Sequence, residues 1–128
     1  MPRRTPLRNI ERVLEREPRV GVALDTEFLA MHEEVDDALA ADWLWPHVLH
    51  VHVKDFADAL VDADGVRRFH LPGAGTVDFP RVFDAFEERG YRGAVSLEAP
   101  AVRPEGGVDV EALQRCFARM SHSPWRFT

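Results

Sequence analysis

Three short apolar runs, each ending beside a side chain able to do chemistry, constrain this chain most. They are Val20-Gly21-Val22-Ala23-Leu24-Asp25, Val48-Leu49-His50-Val51-His52-Val53-Lys54 and Gly93-Ala94-Val95-Ser96-Leu97-Glu98. A nearly continuous apolar run is the pattern of a strand buried on both faces, as in parallel sheets. The middle run is β-branched and alternates, which also reads as a strand. Segments of helical spacing separate the runs. Leu7, Ile10, Val13 and Leu14 predict an amphipathic helix over 7–17, stopped by Pro18. A second helix is expected from His32 to Trp43, ended by Pro46. Asp78 is placed to cap a third, with Pro80 in its first turn, Val82, Phe83 and Phe86 on its buried face and Gly90 at its end. A fourth is expected from about Val108 to Met120, followed by an irregular tail over 121–128. Strands alternating with helices imply βαβ units and a parallel sheet, hence an α/β fold.

The length of 128 residues fits one domain, 1–128. The longest apolar runs fall well short of the ~20 residues of a membrane helix, and Met1-Pro2-Arg3-Arg4 opens no signal-peptide pattern. Sixteen basic against 22 acidic side chains give a net charge of −6, unfavourable for binding a phosphate backbone. Cys116 is the single cysteine, so neither an intrachain disulfide nor a cysteine zinc cluster is available. A reducing cytoplasm is the expected setting, with no nucleic-acid and no membrane partner.

In a parallel sheet the C-terminal strand ends share one edge, and in βα barrels that edge holds the active site. Asp25, His52 and Glu98 therefore converge if the three runs pair. Two carboxylates and an imidazole suit a divalent cation such as Mn, Co, Zn or Mg. Each residue also has a plain structural role: an acid at a strand end caps the next helix, and a strand histidine can be a hydrogen-bonded core residue. His50 shares a strand face with His52, since strand period is two, and competes with it on geometry. His32, His47 and His122 read as surface residues.

The polar stretch from Asp58 to Thr76 is longer than most connections in compact domains, and such loops are often functional. Arg67, Arg68 and His70 on it face either an anionic substrate or solvent. Pro72-Gly73-Ala74-Gly75 either brings backbone N–H groups to a phosphate or sugar or makes a tight turn before Asp78. Trp43 and Trp45 either pack on a sheet edge or mark a partner surface.

The ordered series Val22-Ala23-Leu24-Asp25-Thr26, His50-Val51-His52-Val53-Lys54-Asp55, Leu71-Pro72-Gly73-Ala74-Gly75-Thr76-Val77-Asp78-Phe79, Gly90-Tyr91-Arg92-Gly93 and Val95-Ser96-Leu97-Glu98 resembles the sugar phosphate isomerase/epimerase family of xylose isomerase-like TIM barrels. It covers roughly Leu7 to Met120. The resemblance implies a partial (β/α) TIM barrel, the C-terminal half, with these runs as the last three βα units. It implies a divalent metal held by Asp25, His52 (rather than His50) and Glu98, with Glu98 also a catalytic acid/base. Lys54, Asp55, Arg68 and His70 are the expected substrate-binding residues. Phe28 stands where the family often has a histidine and Ala74 where it often has a glutamate. The earlier strands, which in the family bring a further metal-binding glutamate, are absent.

The function so implied is a metal-dependent sugar or polyol (phosphate) isomerase or epimerase, or a fragment of one. The alternative is a non-catalytic truncated barrel or binding subunit with a vestigial metal site. A βα barrel takes about 250 residues. Three parallel strands leave open edges that invite pairing with another chain. A homodimer or a complementing barrel half is therefore expected.

Overall fold

The computed structural model describes residues 5–98 and 100–120. The elements run α1 (Pro6–Arg16), β1 (Val22–Asp25), α2 (Thr26–Met31), α3 (Val35–Ala40), a 3₁₀ turn (Trp45–His47), β2 (Val48–Val53), α4 (Phe79–Glu88), β3 (Ala94–Leu97) and α5 (Val110–Met120). The strands form one parallel sheet in the order β1-β2-β3. Among the described residues the three parallel strands alternate with helices in an open sheet, consistent with part of a (β/α) barrel. The tail over 121–128 lies outside the described residues.

The sheet buries one side against helices. Val22 and Leu24 of β1 and Val48, Val51 and Val53 of β2 are buried. Val95 and Leu97 of β3 pack against the same core. The helix side is aromatic: Phe79, Phe83 and Phe86 of α4 lie at a spacing of three to four residues and are almost fully buried. Trp45 meets Phe86 at 5.4 Å and Tyr91 at 5.7 Å between ring centroids, while its indole N–H donates to Ala38 O at 2.9 Å. Trp45 is thus a core residue, its one polar atom satisfied.

The helix expected over His32–Trp43 is instead two shorter ones. Asp25 starts α2 at once, because its Oδ1 accepts from the backbone of Glu27 and Phe28 at 2.9 and 3.2 Å. Glu33 then turns left-handed, at φ 57°, and ends that helix. Glu34 is drawn inward rather than out to solvent: it is buried, and its Oε1 accepts from Leu7 N at 3.3 Å. Pro46 lies inside the 3₁₀ turn rather than past a helix end. The other expected helices and strands form within about two residues of their predicted limits.

The stretch from 58 to 76 is ordered by local bonds. Val61 and Arg67 make an antiparallel bridge. Asp62 Oδ1 accepts from Asp64 N and Val66 N, and Gly65 takes φ 77°. The result is a small hairpin carrying Arg67, Phe69 and His70 back toward the sheet. Among the described residues no helix is long and apolar enough to cross a membrane.

Candidate functional site

Register brings the strand-end residues together. Asp25 pairs with His52 across β1 and β2, and His52 with Ser96 across β2 and β3. Glu98 follows two residues on, its N–H donating to Val53 O at 3.0 Å. Residues two apart share a strand face, so Asp25, His52 and Glu98 stand on one edge and one side.

The two histidines are separated by their partners. Their rings stack at 4.4 Å. His50 Nε2 bonds Ser96 Oγ at 2.6 Å. His52 Nδ1 contacts Glu98 Oε1. His50 therefore sits deeper between the strands, and His52 stands at the rim.

Lys54 fills the space between the acids. Its Nζ lies 3.1 Å from Asp25 Oδ2 and 2.9 Å from Glu98 Oε2. The ring of Phe28 lies 5.9 Å from the same nitrogen, within cation–π range. The Lys54 backbone is fixed as well: Thr26 Oγ1 donates to Lys54 O at 2.5 Å and accepts from Lys54 N at 2.9 Å. Burial pulls the Lys54 pKa down, but hydrogen bonds and charges from Glu98 and Asp25 outweigh it and the net shift is upward. The hydrogen bond from Lys54 holds the Glu98 carboxyl below its ordinary range; partial burial opposes this, and the contact with His52 adds to it. Glu98 is thereby kept ionised.

The remaining expected residues divide. Asp55 is buried, and its carboxylate is spent on backbone: Oδ2 accepts from Gly73 N and Gly75 N, both at 2.8 Å, and Oδ1 from Phe56 N and Val77 N at 2.8 and 3.1 Å. The N–H groups of the glycine segment thus close on Asp55. Glycine is required at 75, since a Cβ there would lie 2.4 Å from Asp55 Oδ1 and 2.5 Å from Phe56 O. His70 lines the cleft described next, and its Nε2 is buried without a hydrogen-bond partner among the described residues. Arg68 is outside that lining and bonds Leu60 O through its backbone N–H.

A cleft of about 240 Å³ opens at this edge, walled by Glu27, Lys54, Phe69, His70, Glu98 and neighbours. Larger surface grooves of about 650 and 750 Å³ lie elsewhere and include none of these residues. Glu27 was not legible as a site residue. It is buried, and its carboxylate pairs with Arg67, whose Nη1 also donates to Leu60 O and Arg68 O. Its only signal is position, two residues after a strand-end acid. The pair fastens the hairpin over the cleft.

Asp25, His52 and Glu98 are donors of the kind a divalent cation takes. Their arrangement does not fit one as it stands. Lys54 Nζ takes the position between the carboxylates, and among the described residues no group of three or more His, Cys, Asp or Glu is arranged to hold a metal ion.

The family described as xylose isomerase-like TIM barrel matches residues 6–119. The chain belongs to this family. Its relatives include inosose dehydratases. That of Serratia proteamaculans (strain 568) is 40% identical over 65 residues, covering 42% of this chain and 22% of the relative. That of Yersinia enterocolitica serotype O:8 / biotype 1B is 38% identical over the same extent. That of Erwinia tasmaniensis is 39% identical over 61 residues, covering 39% and 20%. The matched part spans about a fifth of those relatives' length.

Proposed function

We propose that this chain forms the C-terminal wall of an enzyme acting on a sugar or polyol at the carbon beside a carbonyl. Epimerisation, dehydration and enediol-type isomerisation of such substrates share a first step, removal of a proton from that carbon. The relatives' names favour dehydration of an inosose-like ketone; the sugar isomerase or epimerase reading stands beside it. The observation that carries the proposal is the place of Glu98, which lines a cleft with its two carboxylate oxygens facing Lys54 and His52. A carboxylate at the mouth of a site can take a proton from a bound carbon acid, and departure of the Lys54 ammonium would raise its basicity. Lys54 supplies positive charge where an enolate-like oxygen would develop.

In this reading Asp25, His52 and Glu98 are the metal-binding side chains, and the group they would hold is Mn, Co, Zn or Mg. Their present arrangement does not fit it, so no step is assigned to the metal. The remaining barrel strands, with a second proton-transfer group, come from a second copy, a complementing chain or further sequence. The open edges at β1 and β3 among the described residues support such pairing.

A second reading, a non-catalytic binding subunit with a vestigial metal site, is favoured by the ammonium of Lys54 between the two acids. Turnover of inosose, with and without added Mn²⁺, separates the two. The enzyme reading requires turnover that Glu98→Gln abolishes. Binding of inosose without turnover, unchanged in Glu98→Gln, supports the subunit instead.

A further inference from the structure

Every carboxylate oxygen at the strand-end edge has a partner. Asp25 Oδ1 accepts from two backbone N–H groups, and its Oδ2 faces Lys54. Glu98 Oε1 contacts His52, and its Oε2 faces Lys54. One ammonium thus serves both acids. It is also the only one of its kind: Lys54 is the single lysine in a chain whose fifteen other strongly basic residues are arginines. The difference is physical, because an ammonium is a compact point charge whereas guanidinium is a broad planar fork. A compact charge can sit between the two carboxylates, 3.1 Å from Asp25 Oδ2 and 2.9 Å from Glu98 Oε2. The side chain is about one-fifth exposed, and its backbone is fixed on both sides by Thr26. A divalent ion brought to the same oxygens would meet this charge at close range and be repelled.

We propose that Lys54 is the resident cation of the site, and that it keeps a divalent ion off Asp25 and Glu98 until its side chain swings away. This rests on the reading of Asp25, His52 and Glu98 as metal-binding residues. Metal affinity is then set by the fraction of molecules in which Lys54 has left, and a site open one-tenth of the time binds about tenfold more weakly than its intrinsic affinity.

The test is calorimetric titration of Mn²⁺ alone into wild type, Lys54→Met and Glu98→Gln, and into Lys54→Met/Glu98→Gln. Lys54→Met is expected to bind at least about tenfold tighter than wild type, and the double variant to lose the gain. Equal or weaker binding by Lys54→Met, with both binding events abolished by Glu98→Gln, overturns the proposal and leaves the metal-site reading standing. No binding by any variant, or binding indifferent to Glu98→Gln, overturns both. A second measurement needs no variant at Lys54. With one lysine, ¹³C-lysine labelling gives a single Cε resonance, and Mg²⁺ is expected to shift it together with the amides of Asp25 and His52. Amide shifts with a stationary Cε signal overturn the displacement.

Discussion

Lys54 Nζ stands 2.9 Å from Glu98 Oε2, so the cleft edge carries an ion pair whose members sit on neighbouring strand ends. The Glu98 carboxyl titrates below its ordinary value of 4.5, mainly through the hydrogen bond from Lys54. A lowered carboxyl pKa stabilises the fold above the unfolded value, and the contribution is lost as pH falls through the folded one. The Lys54 pKa is raised, so its contribution is complete below its ordinary value of 10.5 and is lost as pH rises through the folded one. Wild type is expected to melt above Glu98→Gln at pH 7. The gap should close when the melts are repeated at a pH well below 4.5.

The four backbone N–H groups gathered by Asp55 make that carboxylate a structural anchor. Truncation would remove the shared acceptor of four half-buried bonds, and a hydrogen bond to a charged group contributes about 1.5–3 kcal/mol. Asp55→Ala is expected to lose roughly 3 kcal/mol or more in urea unfolding. It should also raise hydrogen exchange at Gly73, Gly75 and Val77 before the rest of the core. Asp55→Asn, which keeps an acceptor oxygen, should lose less. Equal losses would show that the carboxylate does not organise the loop through these bonds.

Glu27 is a buried acid whose charged partner is Arg67, forty positions along the chain. Breaking one side of a buried pair costs about 3–5 kcal/mol, while replacing both sides is often nearly neutral. Arg67 is one-third exposed, so the lower end applies. Arg67→Met should destabilise by about 3 kcal/mol and make the segment over 58–70 more sensitive to protease. Arg67→Met/Glu27→Gln should recover part of both. A double-mutant cycle with no coupling would remove the pair as the fastener of the hairpin.

Phe83 is fully buried between Phe79 and Phe86. Removing a core phenyl ring costs about 3–5 kcal/mol through lost burial and the cavity left behind. Phe83→Ala is expected to show a loss of that order in chemical denaturation, or to fail to fold. A loss under about 1 kcal/mol would contradict the helix-to-sheet packing on which the site's strand alignment depends.

The strands were legible because apolar runs ending in Asp25 and Glu98 have few other uses, and a parallel sheet fixes which of their ends meet. Convergence of Asp25, His52 and Glu98 followed from that alone. The histidine choice was not legible from period two, since His50 and His52 share a face; the family resemblance named His52, and the contacts to Ser96 and Glu98 are what separate the two in space. The break between α2 and α3 was hidden because neither Gly nor Pro marks it: a glutamate, Glu33, takes the left-handed turn. Glu27 and Arg67 were hidden for a different reason. Ion pairs between distant segments leave no local pattern. The resemblance implies a substrate contact for Lys54, whereas its position between two acids is visible only in side-chain geometry.

In the proposed reaction Glu98 removes a proton from the carbon beside a substrate carbonyl. Incubation with inosose in D₂O, followed by proton NMR, measures that step directly, whether isomerisation, epimerisation or dehydration comes next. Wild type, together with any partner it needs, is expected to lose the proton signal at that carbon, and Glu98→Gln to lose it at least about a hundredfold more slowly. Exchange at equal rates in the two proteins would contradict it.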